Sequence, residues 1–470
     1  MLTLYNTQSK RKSAFHPLDA RNVRVYVCGP TVYDDIHIGN ARPMVVFDVL
    51  VRVLRRLYPR VTYARNITDI DDKIIARANK NNESTAELSQ RMVVRFHEQM
   101  DALGVLPPDK EPLATHHIDA MIALIATLLE KKHAYVAEGH VLFHVPSMPS
   151  YGALSQRKRE AMLAGARVDV APYKKDPFDF VLWKPSHKDM PAWPSPWGKG
   201  RPGWHIECSA MSNACLGTPF DIHGGGIDLL FPHHENEVAQ SCCAFNCTNM
   251  AQVWLHNGYI VMNDEKMSKS LGNDVRLCHL LATYPPQTLR YFLLSAHYRQ
   301  PTPWQEKALK DATRALDTLY EAQARLAAVA PLKDTPDSDT PDSDASISDI
   351  QHALADDLNT PLALAHLHRH AKTITKNVTG APLRAAVRAF RDAQDLLGLV
   401  TLSAEDWFQS NTSTTTESID ETFIRSMITQ REEARRAKDF QKADELRDTL
   451  YQQGIILEDT PQGVQWKRRR

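Results

Sequence analysis

Residues 23–67 restrict the fold of this chain more tightly than any other stretch. Val23-Arg24-Val25-Tyr26-Val27-Cys28 is a run of β-branched and aromatic residues stopped by Gly29-Pro30, and it predicts a buried strand. After a loop, Val46, Leu50, Val53, Leu54 and Leu57 recur at helical spacing from a start near Gly39, with Arg52, Arg55 and Arg56 mainly on the other side. Pro43 is tolerable in the first turn of such a helix. Val61 to Ile67 then reads as a second strand. Strand, helix and strand in that order are the start of a parallel α/β sheet.

Further along, Ser84 followed by Glu87 predicts a capping box, opening a helix that carries Met92, Val93, Phe96, Met100 and Leu103. Mixed patterns and a Pro/Trp-rich stretch between about 115 and 200 read as an insertion between two halves of the sheet. Strand-like runs return at Phe220-Asp221-Ile222-His223 and Tyr259-Ile260-Val261-Met262. From about 305 the pattern is helical. It is broken by an acidic Thr335-Pro336-Asp337-Ser338-Asp339 that repeats at once, and later by a polar stretch from Asn411 to Ser418; the first is expected to be a flexible loop. The chain then predicts a helix running to Gly454 and a hairpin about Thr460-Pro461-Gln462-Gly463.

The formal net charge of the 470 residues is zero, so any nucleic-acid contact must come from local basic patches. Seven cysteines, odd in number and unevenly spread, argue against a secreted disulfide framework. With no signal-peptide pattern at the start and no apolar run of membrane-span length, the expected setting is a reducing cytoplasm without a membrane.

Metal-binding residue types are scattered. Cys28 ends the first strand, where open α/β sheets place their ligands. Cys208 lies in Gly203-Trp204-His205-Ile206-Glu207-Cys208, and His233 and Glu237 are spaced to share one helix face. Two thiolates, an imidazole and a carboxylate suit Zn²⁺. Spacing alone leaves His234 in competition with His233, because His234 and Glu237 are three apart on a similar face. Cys215, Cys242, Cys243, Cys247 and Cys278 have no equally good partner set and are expected in the core.

Two strings suit phosphate. His37-Ile38-Gly39-Asn40 falls at a predicted helix start, whose free N–H groups and positive dipole end attract anions. Gly39 lets an adenine lie against the backbone, and His37 can donate to phosphate oxygens. Lys266-Met267-Ser268-Lys269-Ser270 sets two lysines three apart on a short polar loop able to close over pyrophosphate. The glycine-rich His223-Gly224-Gly225-Gly226-Ile227-Asp228 adds a carboxylate for an ammonium or a ribose hydroxyl.

Together these strings resemble the cysteinyl-tRNA synthetases, a family of class I aminoacyl-tRNA synthetases. His37 to Asn40 matches the HIGH signature, with Asn40 in place of the last histidine, and Lys266 to Ser270 matches KMSKS without change. Asp72-Lys73-Ile74-Ile75-Ala76-Arg77 and the segment Gly454 to Gly463 extend the match over nearly the whole chain. The resemblance implies one zinc per chain on Cys28, Cys208, His233 and Glu237, which settles the choice between the two histidines. It implies His37, Lys266 and Lys269 as catalytic groups, with Gly39 and Asn40 beside ATP, and Thr68, Trp204, His223 and Asp228 around the amino acid.

The implied fold is α/β: a Rossmann-like parallel-sheet catalytic domain in two parts (1–115 and 201–265) separated by a connective insertion (116–200). A KMSKS loop and stem-contact region (266–304), an α-helical tRNA-binding bundle (305–410) and a small C-terminal α+β anticodon module (411–470) follow. The implied reaction joins L-cysteine to ATP, releases pyrophosphate, and transfers cysteine to the 3′ end of tRNA(Cys), with Mg²⁺ accompanying ATP and the enzyme acting as a monomer. Zinc suits the selection, because apolar pockets separate such small side chains by only about 10–200-fold, whereas a metal favours a thiolate over a neutral hydroxyl. Two rival expectations are a cysteine ligase acting on a small amine, and a non-catalytic zinc-containing RNA-binding protein.

Overall fold

The computed structural model describes residues 1–157, 171–187, 190–263, 265–268, 272–329, 347–374, 376, 379–409, 420–460 and 463–468. Both interrupting stretches of the helical region, Thr335–Asp339 with its repeat and Asn411–Ser418, lie outside these residues. The chain forms two compact units. The first is Met1–Leu277 with Leu293–Trp304 and Gln351–Ala363, and the second is Cys278–Phe292, Gln305–Ile350 and Leu364–Arg470.

The first unit is built on the expected parallel sheet. Its strands stand in the order Ala251–Asn257, Phe220–Gly226, Val23–Val27 and Val61–Arg65, all parallel, with Val25 opposite both Ile222 and Tyr63. The two central strands are buried almost throughout, as near-continuous apolar runs require. The helix Ile38–Leu57 buries Ile38, Ala41, Val45, Phe47, Leu50 and Leu54. A Cβ on Gly224 would collide with the Phe47 ring, so glycine on that strand brings the helix into close contact with the sheet.

That helix begins at Ile38, so Pro43 lies inside it rather than in its first turn, a correction to the sequence reading. Its neighbour Arg42 is wholly buried and donates to the carbonyls of Gly258, Tyr259, His297 and Gln300 at 2.7–3.2 Å. Burial draws this guanidinium down to about 10. The predicted capping box is present: the Ser84 N–H donates to Glu87 Oε2 at 2.9 Å, and the Glu87 N–H to Ser84 Oγ at 3.2 Å.

Residues 134–202 include a four-stranded antiparallel sheet in the order Ala134–Ala137, His140–Phe143, Phe180–Pro185 and Gly200–Pro202. In the second unit, the helix Glu306–Val329 carries Tyr320, whose ring stacks on buried Trp407 at 4.6 Å. Helices Glu421–Arg436 and Phe440–Gln452 and the hairpin Ile455–Thr460 with Gly463–Arg468 enclose a core of Ile424, Leu450, Ile455 and Trp466. Gly454, at φ 80°, takes the left-handed position after the helix, as its sequence context predicts. Among the described residues no helix is long and apolar enough to cross a membrane.

Candidate active site and metal centre

The four predicted metal ligands come from separate elements. Cys28 follows the central strand Val23–Val27, so its thiol sits at the carboxyl end of the sheet. Cys208 projects from the helix Trp204–Leu216, Glu237 from the helix Glu235–Phe245, and His233 from the turn just before it. All four are buried, and their donor atoms lie within 4.8 Å of one another. Cys28 Sγ is 3.6 Å from Cys208 Sγ and 3.5 Å from Glu237 Oε1, and His233 Nε2 is 3.0 Å from that oxygen.

Burial drives the Cys28 thiol well above its ordinary range. Cys208 is held down to about 6, chiefly by its hydrogen bond with Cys28. Burial opposes protonation of His233, but the Glu237 carboxylate and Cys208 overcome it and raise the imidazole to about 10. Burial likewise opposes the Glu237 charge, yet His223 and His233 hold that carboxyl well below its usual value. Three anion-forming groups thus converge in a buried space. A borderline-soft divalent cation answers both their charge and their donor chemistry, so the residues fit zinc.

Cys28, His223, His234 and Glu237 form a second close group. His234 Nε2, however, is 3.9 Å from Glu237 Oε1, and its Nδ1 lies 2.8 Å from His256 Nε2. His223 Nε2 is 2.9 Å from the other carboxylate oxygen, Oε2. His233, not His234, falls in the group containing both thiols, and the Trp204 ring stacks on it at 4.2 Å. Of the cysteines expected in the core, Cys242 and Cys243 are buried, whereas Cys215, Cys247 and Cys278 are half-buried. Cys215 and Cys247 nonetheless pack against the core of the first unit, whereas Cys278, at the start of the helix Leu277–Thr283, departs from the sequence expectation.

A cavity of about 540 Å³ opens beside this cluster and is lined by Cys28, His37, Gly39, Asn40, Trp204, Asp228 and Lys266, among others. His37 is the residue at the helix start, and its N–H donates to Asn40 Oδ1 at 3.3 Å. The asparagine that replaces the signature's last histidine therefore sits at the third helical position and supplies the reciprocal half of a capping box to His37. A Cβ on Gly39 would approach His37 Nδ1 to 2.8 Å, so glycine leaves room for that ring. Lys266 Nζ is 2.8 Å from Asp228 Oδ2 and 4.6 Å from the centre of the Tyr259 ring. Lys269 lies outside the described residues.

Thr68 and His223 are buried and are not among the residues lining the cavity. The Thr68 hydroxyl donates to Glu207 Oε2 at 3.0 Å, and His223 stacks on Trp254 at 4.5 Å. Glu207 was not singled out by sequence reasoning. It is 2% exposed, and burial together with Cys208 raises its carboxyl well above the usual range. A charged residue inside Trp204-His205-Ile206-Glu207-Cys208, on a helix that turns this face to the sheet, was the available signal.

Burial holds His205 and His256 down to about 3. The unfolded chain protonates such histidines near 6.5, and the folded chain only near 3. Their contribution to stability is therefore complete above about pH 6.5 and is lost as pH falls toward 3, at about 1.4 kcal/mol per pH unit for each group. His256→Asn is expected to reduce the pH dependence of urea unfolding in this window by about one proton; an unchanged slope refutes the assignment.

A model of the class I (C) tRNA synthetase catalytic domain matches residues 14–314, a DALR domain residues 349–401, and a cysteinyl-tRNA ligase anticodon binding domain residues 424–466. The chain is 51% identical over 468 residues to a cysteine–tRNA ligase of Rhodospirillum rubrum, with 99% of each chain covered. It is 52% identical over 469 residues to one of Parvibaculum lavamentivorans, covering 99% of this chain and 97% of that one. Among solved structures, Mycobacterium tuberculosis methionyl-tRNA synthetase with methionyl-adenylate aligns at a TM-score of 0.56 and 16% identity, over 80% of this chain and 92% of that one. The Agrobacterium radiobacter LeuRS–tRNA–LeuAMS complex aligns at 0.56 and 11% identity, over 84% and 86%. At such identities the likeness establishes the fold.

Proposed function

This chain belongs to the cysteine–tRNA ligase family of class I tRNA synthetases, and from that premise we propose how its own residues divide the reaction. The enzyme activates L-cysteine with ATP to cysteinyl-adenylate, releasing pyrophosphate, and passes the cysteine to the 3′ end of tRNA(Cys). Cys28, Cys208, His233 and Glu237 are the residues that would hold zinc. When bound there, zinc supplies a centre that takes a thiolate far better than a neutral hydroxyl. The observation carrying this reading is the position of Cys28, which belongs both to the four-donor cluster and to the wall of the cavity that His37 and Lys266 share.

Trp204, stacked on His233, forms one wall of the amino-acid pocket. Asp228 receives the substrate ammonium, while Thr68 and His223 support the pocket from behind. The cysteine carboxylate attacks the α-phosphorus of ATP in line. His37 and Lys266, with Lys269, stabilise the charge that develops on the phosphates. Gly39 and Asn40 shape the floor beneath the nucleotide, and Mg²⁺ enters with ATP.

The regions 266–304 and 305–410 are assigned to the tRNA stem and body, and 411–470 to the anticodon. The enzyme is assigned as a cytoplasmic monomer. The test is cysteine-dependent ATP–pyrophosphate exchange followed by tRNA charging. Chelation of the metal is expected to abolish exchange, one equivalent of Zn²⁺ to restore it, and serine to support less than about 10⁻⁴ of the cysteine rate. Exchange that survives complete metal removal would sink the zinc reading. Cysteine appearing on a small amine instead of on tRNA would overturn the acceptor assignment.

A further inference from the structure

The two phosphate-handling strings lie far apart in sequence, yet an unbroken path of contacts joins their described residues. The Ile38 N–H donates to the Val275 carbonyl at 3.0 Å, the Leu277 N–H donates to the Ile36 carbonyl at 2.9 Å, and His37 stands opposite Arg276 in an antiparallel bridge. The Arg276 guanidinium then forks onto Asp34, with Nη1 3.1 Å from Oδ1 and Nη2 3.2 Å from Oδ2. Arg77 also donates to that carboxylate, to Oδ2 at 2.7 Å. Toward the lysine, Asn273 Oδ1 accepts from the Ser268 N–H at 2.8 Å, and Asn273 Nδ2 donates to the Lys266 carbonyl at 3.3 Å.

We propose that Arg276, held by Asp34, is a positioning residue for amino-acid activation that sets the register of Lys266 against His37. The inference rests on the assignment of those two residues to the phosphates. The Lys266 side chain is 40% exposed, so its ammonium is not fixed by burial. Its exposed ion pair with Asp228 contributes little. Backbone register must therefore place it. One side of that register is anchored by Met267, which is buried and whose N–H donates to the Ile260 carbonyl at 2.9 Å. The other side is the path through Asn273 to the Arg276–Asp34 fork, whose two parallel, charge-assisted hydrogen bonds resist both rotation and sliding. Stabilising a developing charge between His37 and Lys266 depends on their spacing, and a misplacement of about 1 Å costs about 100-fold in rate.

The test is kinetic and uses the full-length, zinc-loaded enzyme. Arg276→Ala is expected to lower kcat for cysteine-dependent ATP–pyrophosphate exchange by about 10–100-fold. Zinc content, the KM for cysteine and the thermal midpoint should stay at parental values. Arg276→Lys keeps the charge without the fork and should fall with it. In a Lys266→Ala background, Arg276→Ala should add less than about 2-fold, because it acts through the lysine. Unchanged exchange in Arg276→Ala, or its full loss repeated on top of Lys266→Ala, overturns the positioning role. Should Arg276→Ala fail to give zinc-loaded protein, Asp34→Asn is read by the same two criteria. Lys266→Ala with full exchange instead overturns the phosphate assignment and this inference with it, so the two failures are distinguishable.

Discussion

Cys208→Ala is expected to strip the metal site and, with it, cysteine activation. The thiol is 1% exposed and 3.6 Å from its partner Cys28. It is the group most readily ionised among the two clustered thiols, held down to about 6. Its removal leaves one thiol, one imidazole and one carboxylate, a set both harder and less complete. Loss of a hydrogen-bond partner behind a ligand typically costs about 10–100-fold in metal affinity, and loss of a ligand itself costs more. Zinc content after dialysis should fall below stoichiometry, and ATP–pyrophosphate exchange should fall by more than about 100-fold. Cys208→Ser keeps the volume but offers a weak neutral hydroxyl, so it should follow the alanine variant. Normal zinc together with normal exchange in either variant refutes the ligand assignment.

His37→Ala and Lys266→Ala should separate the other way. Neither side chain belongs to the donor cluster, and both line the cavity. Zinc content should stay stoichiometric, and the protection that cysteine gives against thermal unfolding should persist. Exchange should nevertheless fall by about 100–1,000-fold for each, the usual cost of removing one group aimed at developing charge. Because that charge exists only in the transition state, kcat and kcat/KM for ATP should fall together. A variant that raised the KM for ATP without lowering kcat would show the side chain to be a ground-state contact only.

Much of the fold was legible because local and global preferences agree. The β-branched runs at 23–28 and 61–67, the apolar helical spacing between them and the Ser84–Glu87 pair all formed the expected elements. What escaped was buried charge. Arg42 has no local partner, since its acceptors lie more than two hundred residues further on. Glu235 stands between two residues that attract attention, His233 and Glu237, yet its carboxylate accepts from the backbone N–H groups of Gly152, Leu154 and Ser155. Spacing shows which side chains share a face, but not which distant amide will meet them. The metal ligands suffered the same handicap, and only the strings around them made the set readable. Asp228 was legible as a carboxylate near the ligand, but its ion pair with Lys266, 38 residues away, was not.

The distance along the chain between the two cysteines proposed as ligands has a consequence for how the protein is made. Cys28 and Cys208 are separated by 180 residues yet meet at 3.6 Å. A nascent chain on the ribosome carries one ligand thiol for a long interval, and strand Val23–Val27 waits for its neighbour Phe220–Gly226. In small zinc domains the ion drives folding. Here the four candidate donors lie on elements of a core of a size that folds unaided, so metal binding is expected to follow sheet closure. Zinc starvation should therefore leave cells with folded, idle chains, ready for rescue by metal without any new synthesis.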